Sequence, residues 1–279
     1  MKNFITAAVL AAFVSLPAIL SAQQQQNSQN AREFTIDEQG MAQRDPKYFK
    51  VDPTSVKIEK IKEEELKDFS YFGQTTLDEF SQKEDDTFVI IEKIINIAAK
   101  IWKIIKDNAP VVNITTKYAT AVPKGIQSWT ELSNWSKPKA YTYGFYAKNL
   151  YGIKVIDVRY KVVYTYNGDY KGKGKYLTGV TIIPEKVNVA WGYRFDMSAE
   201  VPDTTVTNVG SYANPLAALQ LRLAWAIATA LKETRGTSIY YIQGDGYMNE
   251  IASPFKFRTN IEDVKSMAPL LGPADKVFN

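Results

Sequence analysis

From Val111 onward, apolar and polar side chains alternate with a period of two, the repeat of a β-strand with one face in the core. In KVNVAWGYRFDMSAEV, Val187, Val189, Trp191, Tyr193, Phe195, Met197, Ala199 and Val201 share one face. Asn188, Arg194, Asp196, Ser198 and Glu200 lie on the other, so the stretch reads as one half-buried strand. YGIKVIDVRYKVVYTYNG alternates likewise, with Ile156, Val158, Tyr160, Val162, Tyr164 and Tyr166 on the richer face. Shorter strands are predicted over 111–122, 139–148, 175–183 and 237–243, each bounded by Gly, Pro or Asn. Residues 215–235 have a helix start at Asn214-Pro215, yet they also alternate. The strand reading is preferred there because residues 235–238 then form a short link to the next strand.

Before this β region the period is helical. FVIIEKIINIAAKIWKIIKDN follows Asp85-Asp86, whose carboxylates suit a helix N-terminus, and stops short of Pro110. Ile91, Ile94, Ile95, Ala98, Ile101, Trp102 and Ile105 fall on one side, with Glu92, Lys93, Lys100 and Lys103 opposite. The spacing predicts an amphipathic helix over 86–107, with Ile94, Ile101, Trp102 and Ile105 either in the core or, alternatively, in a membrane interface. Lys57 to Phe69 reads as a short strand running into a charged helix.

The expected fold is mainly β, with a mixed α+β fold as the alternative: an elongated antiparallel sandwich or curved sheet with one long N-terminal amphipathic helix packed on it. Residues 1–22 read as a signal peptide, with one lysine, an apolar run from Phe4 to Leu20 and a cut after Ala22. Residues 23–48 form a flexible polar leader, 49–108 an acidic segment bearing the long helix, 109–250 the antiparallel β domain and 251–279 a C-terminal tail. The exported chain is expected in the periplasm, in the medium or on the cell surface.

The chain has no cysteine and no histidine, which excludes a disulfide framework, Ser-His and Cys-His catalysis and ordinary zinc or copper sites. No metal or cofactor is expected, and no catalytic residue is assigned. The net charge of +4 hides an asymmetry: Arg32 to Phe88 carries 9 basic and 15 acidic residues, and Val89 to Asn279 carries 24 and 15. A basic body favours anionic partners.

YNGDYKGKGKYLTG, residues 166–179, lacks both the GxxxxGK[ST] spacing of a phosphate loop and the helix that must follow one. Asn167-Gly168 instead suits a two-residue type I′ turn, which sets Tyr164 opposite Lys171, Val162 opposite Lys173 and Tyr160 opposite Lys175. That register puts lysines on the core face. The hairpin tip then projects beyond the core, or a bulge at the glycines flips the face; the projecting tip is preferred. It makes Tyr160, Tyr164, Tyr166, Lys171, Lys173 and Lys175 a candidate surface for an anionic glycan, lipid or protein of the cell envelope, with no nucleic acid expected. Oligomeric state is left open.

The leading functional expectation is an exported, non-enzymatic, envelope-associated binding protein. A second reading is membrane-active: a cationic amphipathic helix ahead of a tyrosine-rich antiparallel body resembles the layout of small pore-forming cytolysins, without a shared motif. A third is a carboxylate-dependent hydrolase using Asp196 or Asp245, although Asp196 and Glu200 on one strand stand about 13 Å apart, beyond the usual glycosidase spacing.

Overall fold

Alternating runs dominate the architecture. The computed structural model describes residues 32–67, 88–111, 117–126 and 131–252. The chain divides into two units, 1–33 and 34–279, and every element below belongs to the second. Among the described residues, the α-helix α1 (Ile36–Arg44) lies within the segment expected as a polar leader. A capping box holds its start: Glu38 N-H donates to Thr35 Oγ1 at 3.2 Å and Thr35 N-H to Glu38 Oε2 at 2.8 Å. No helix among the described residues is long and apolar enough to cross a membrane.

The strands are β1 (Lys57–Glu65), β2 (Ile90–Ile95), β3 (Ile101–Lys106), β4 (Ala109–Pro110), β5 (Ala119–Lys124), β6 (Leu132–Ser133) and β7 (Lys139–Lys148). They continue as β8 (Lys154–Tyr170), β9 (Lys173–Val189), β10 (Arg194–Glu200), β11 (Thr207–Asn208), β12 (Ala217–Ala228), β13 (Glu233–Gln243) and β14 (Met248–Ala252). Two antiparallel sheets result. The first has the order β1-β7-β8-β9-β5-β2 with β6 on β8, and the second β14-β13-β12-β10-β3-β4 with β11 on β12.

Their apolar faces meet as a sandwich. Phe145 of β7 packs against Phe195 of β10 and Trp225 of β12, with ring centroids 5.0 and 4.9 Å apart. Tyr143 of β7 meets Tyr240 of β13 at 5.1 Å. Inward tyrosines need partners for their hydroxyls. Tyr160 and Tyr240 share one hydrogen bond of 2.8 Å across the sheets, and Tyr164 donates to the carbonyl of Gly246 at 2.7 Å.

The helix expected over 86–107 is not formed from residue 90 onward; residues 86 and 87 lie outside the described residues. Its isoleucines divide between β2 in the first sheet and β3 in the second. β-Branched residues lose rotamer freedom on a helix and pack well on a pleated surface, and here that preference prevails over the helical period. Asn96 breaks the run between the strands: its Oδ1 accepts from the backbone N-H groups of Ala98 and Thr120, at 3.2 and 2.9 Å. Ile94, Trp102 and Ile105 are buried, whereas Ile101, expected beside them, is 60 % exposed.

Four further corrections concern strand limits and links. Lys57 to Glu65 is strand throughout rather than strand and helix, and residues 68 and 69 lie outside the described residues. β1 and β2 are members of the first sheet, so the 49–108 segment is part of the β body, not a helical region ahead of it. The single strand expected over 187–201 breaks at 190–193, where the chain passes from β9 in one sheet to β10 in the other. Gly192 adopts φ +79° there, and a Cβ on it would lie 2.3 Å from the Phe49 ring. The 215–235 segment does form a strand, β12, with Leu219, Leu221, Leu223, Trp225 and Ile227 in the core. The link after it is 229–232, and residues 235–238 lie within β13.

Candidate functional site

The lysine-glycine hairpin does not assemble the surface expected of it. Its turn lies at Lys171-Gly172, because β8 continues through Asn167-Gly168 to Tyr170. Register shifts between Val163 and Tyr170 absorb the extra residues, with Asn167 at φ 64° and Gly174 at φ 80°. Thr165 therefore faces Thr178, and Tyr170 faces Lys173. The bulged alternative is the one realised. Tyr160, Tyr164 and Tyr166 are buried, while Lys171, Lys173 and Lys175 are exposed, so the six residues form no common surface. Asp169 braces the turn: burial pulls its carboxyl upward, but hydrogen bonds from Asn134, Gly172 N-H and Ser133 outweigh that and hold it below its ordinary range.

The carboxylates considered for hydrolysis serve local structure. Asp196 accepts from Asp107 N-H at 2.9 Å and from Arg194 Nε at 3.2 Å. Asp245 accepts from Tyr247 N-H at 3.0 Å within a turn. Among the described residues no cluster of three or more carboxylates has the geometry of a metal site.

Basic and aromatic groups do converge on the solvent face of the first sheet. A groove of about 470 Å³ is lined by Ser55, Lys57, Glu59, Tyr146, Lys148, Lys154, Asp157 and Arg159. Pairing builds it in two rows: Lys57, Tyr146 and Asp157 lie abreast on β1, β7 and β8, and Glu59, Gly144 and Arg159 form the next row. Gly144 is the floor. A Cβ there would stand 2.4 Å from the Tyr146 hydroxyl, so the missing side chain is what lets the Tyr146 ring lie along the sheet. Lys154 Nζ sits 5.0 Å from the centre of that ring, a cation-π contact.

The charges in the groove are unbalanced. Glu59 is paired with Lys57, and Asp157 with Lys186 at 2.6 Å. Lys148, Lys154 and Arg159 are exposed and have no carboxylate partner among the described residues. Nearer the middle of the same face the balance differs: Lys161 bridges Glu64 at 2.9 Å and Glu185 at 2.7 Å. Burial pulls the Lys161 ammonium down, but Glu185 and Glu64 outweigh it and hold it above its ordinary value. Asp157 Oδ1 is buried and accepts no hydrogen bond, although Oδ2 takes the Lys186 ion pair. The groove thus offers three cations and an aromatic ring.

Sequence reasoning missed this site because its eight residues come from three strands and a turn whose mutual register is a non-local property. The one local signal was the polar side of β8, where Asp157, Arg159 and Lys161 alternate with the core residues Val158, Tyr160 and Val162. Comparison with protein-family models, with curated proteins and with solved structures finds no match to this chain.

Proposed function

We propose that this chain is an exported, envelope-associated, non-enzymatic binding protein whose groove over Tyr146 takes a hydroxylated anion, a sugar acid or sugar phosphate. The observation that carries the reading is the convergence of Lys148, Lys154 and Arg159, all without carboxylate partners among the described residues, beside an aromatic ring. Cations without a carboxylate partner remain able to bind an oxyanion, and Arg adds a planar fork matched to carboxylate or phosphate. The half-buried Tyr146 ring beside the cations gives a sugar ring an apolar contact, which favours a sugar over a bare anion. Export rests on the N-terminal charge and hydropathy pattern; residues 1–31 lie outside the described residues.

Calorimetric titration at low ionic strength tests this, with glucuronate and glucose phosphate as probes and glucose as the neutral control. The expected result is binding of the anionic sugars only, with Arg159→Ala weakening it about tenfold through loss of one charge-assisted contact. Equal binding of glucose, or no binding of either anion, defeats the proposal. Added salt should weaken the interaction, because the cations are exposed.

A further inference from the structure

One end of the sandwich collects exposed apolar side chains from three separate hairpin tips. Leu150, Tyr151 and Ile153, in the β7–β8 turn, are 49, 53 and 51 % exposed. Trp191, in the β9–β10 turn, is 54 % exposed, and Leu231, in the β12–β13 turn, is 39 % exposed. Strand pairing brings the tips together. Arg194 faces Ala228, which sets the turn of Leu231 beside that of Trp191, and Ala190 N-H donates to Val155 O at 2.8 Å, which ties the Trp191 turn to the start of β8.

The tips are held firmly. Asn149 Oδ1 accepts from the N-H groups of Tyr151 and Ile153, both at 3.0 Å. The Tyr151 hydroxyl donates to Asp45 at 2.9 Å, the Tyr48 hydroxyl donates to the Trp191 carbonyl at 3.2 Å, and the Phe49 and Trp191 rings meet at 5.8 Å. The 45–50 segment therefore bridges the first two tips.

Exposed cations surround this apolar group. Lys47, Lys50, Lys148, Lys154 and Lys232 all lie in solvent on these turns or on the bridging segment. Of the neighbouring carboxylates, Asp45 is engaged by Tyr151 and by Tyr48 N-H, Asp52 by Thr54, and Glu233 by Arg194 and Arg235.

We infer that this end docks on an anionic lipid bilayer, with Trp191, Tyr151, Leu150, Ile153 and Leu231 in the interfacial layer and the lysines against the headgroups. Contiguous exposed apolar surface on a folded domain marks an interaction site. Trp and Tyr favour the bilayer interface, where one edge of the ring is oily and the other wet. Lysines extend their stems along the apolar layer and place ammonium groups at lipid phosphates, an attraction that an uncharged protein groove does not offer. The occupant is distinct from the ligand of the Tyr146 groove, although the groove opens beside this end and shares Lys148 and Lys154 with it.

Vesicle flotation of the full chain separates the two readings. The wild type should float with vesicles containing phosphatidylglycerol at low salt and remain unbound with pure phosphatidylcholine. Trp191→Ser/Leu231→Ser should lower the partition about tenfold while leaving the circular dichroism spectrum and the glucuronate affinity unchanged. Arg159→Ala, away from the tips, should float like the wild type. A wild type that stays unbound with anionic vesicles overturns the inference. So does equal flotation with neutral vesicles, or a tip variant that partitions like its parent. None of those results touches the groove, which the sugar titration tests separately.

Discussion

Two glycines show how the consequence of an added methyl depends on what it meets. At Gly144 the Cβ would meet the far end of the Tyr146 side chain, which is half-buried and able to swing outward. At Gly244 it would meet backbone, the carbonyl oxygen of Lys175 at 2.1 Å, and that backbone is held in place by the Lys175–Leu216 bridge. Gly144→Ala is therefore expected to cost under about 1 kcal/mol of stability but to spoil anion binding by displacing the ring, while Gly244→Ala costs about 1–3 kcal/mol. Thermal denaturation midpoints and sugar titrations on both variants check the contrast. Tyr160 and Tyr240 make a second residue-scale case, because both are fully buried and their hydroxyls satisfy each other. Tyr160→Phe leaves the partner hydroxyl orphaned and should cost about 1–3 kcal/mol, whereas the double variant Tyr160→Phe/Tyr240→Phe should recover most of the loss. A double-mutant cycle in urea that finds simple additivity would contradict this coupling.

At the scale of elements, the isoleucine-rich stretch is the instructive one. Its residues satisfy a helical period and a strand period at once, and nothing within 90–106 decides between them. On a helix, Ile101 and Ile105 would lie one turn apart on the same face and respond alike to substitution. A regular strand would also place them on one face, but β3 shifts register opposite Met197 and Ser198, and Ile105 is 1 % exposed while Ile101 is 60 % exposed. Ile105→Ala should thus cost about 2–4 kcal/mol and Ile101→Ala almost nothing, measured by chemical denaturation. The lysine-glycine hairpin teaches the complementary lesson. Asn-Gly is a strong turn signal, yet the chain runs through it, because pairing the long strands to Tyr170 seats Tyr160, Tyr164 and Tyr176 in the core. Burial of three aromatic rings outweighs the local preference of one dipeptide.

Across the whole molecule, tyrosine links stability to pH. Burial pushes the phenols of Tyr143, Tyr160, Tyr164, Tyr176, Tyr193 and Tyr240 above their ordinary value of 10.0. A raised folded value means that the native state holds the proton more tightly than the unfolded chain. Stability from these groups is then fully present below about pH 10 and declines as the pH rises above it, when the unfolded chain ionises first. Denaturation midpoints measured from neutral to strongly alkaline pH should fall beyond that point, with the tyrosinate absorbance of these six residues appearing together with unfolding. Ionisation of these six phenols in a chain that stays folded would contradict the burial of the network.

What the sequence by itself determined is everything carried by local period and residue chemistry. The mainly β class, strands such as 139–148, and the exclusion of thiolate and imidazole chemistry all follow from residues within a few positions of one another or from composition. Only the tertiary structure decided which strand lies beside which. The division of the isoleucine run between two sheets, the bulges of β8 and β9, the groove over Tyr146 and the apolar tips at one end all depend on that choice. The physical reason is that a strand presents the same hydrogen-bonding edge to any partner. Register is selected by the burial of side chains far apart in the chain, an energy that no short window of sequence contains.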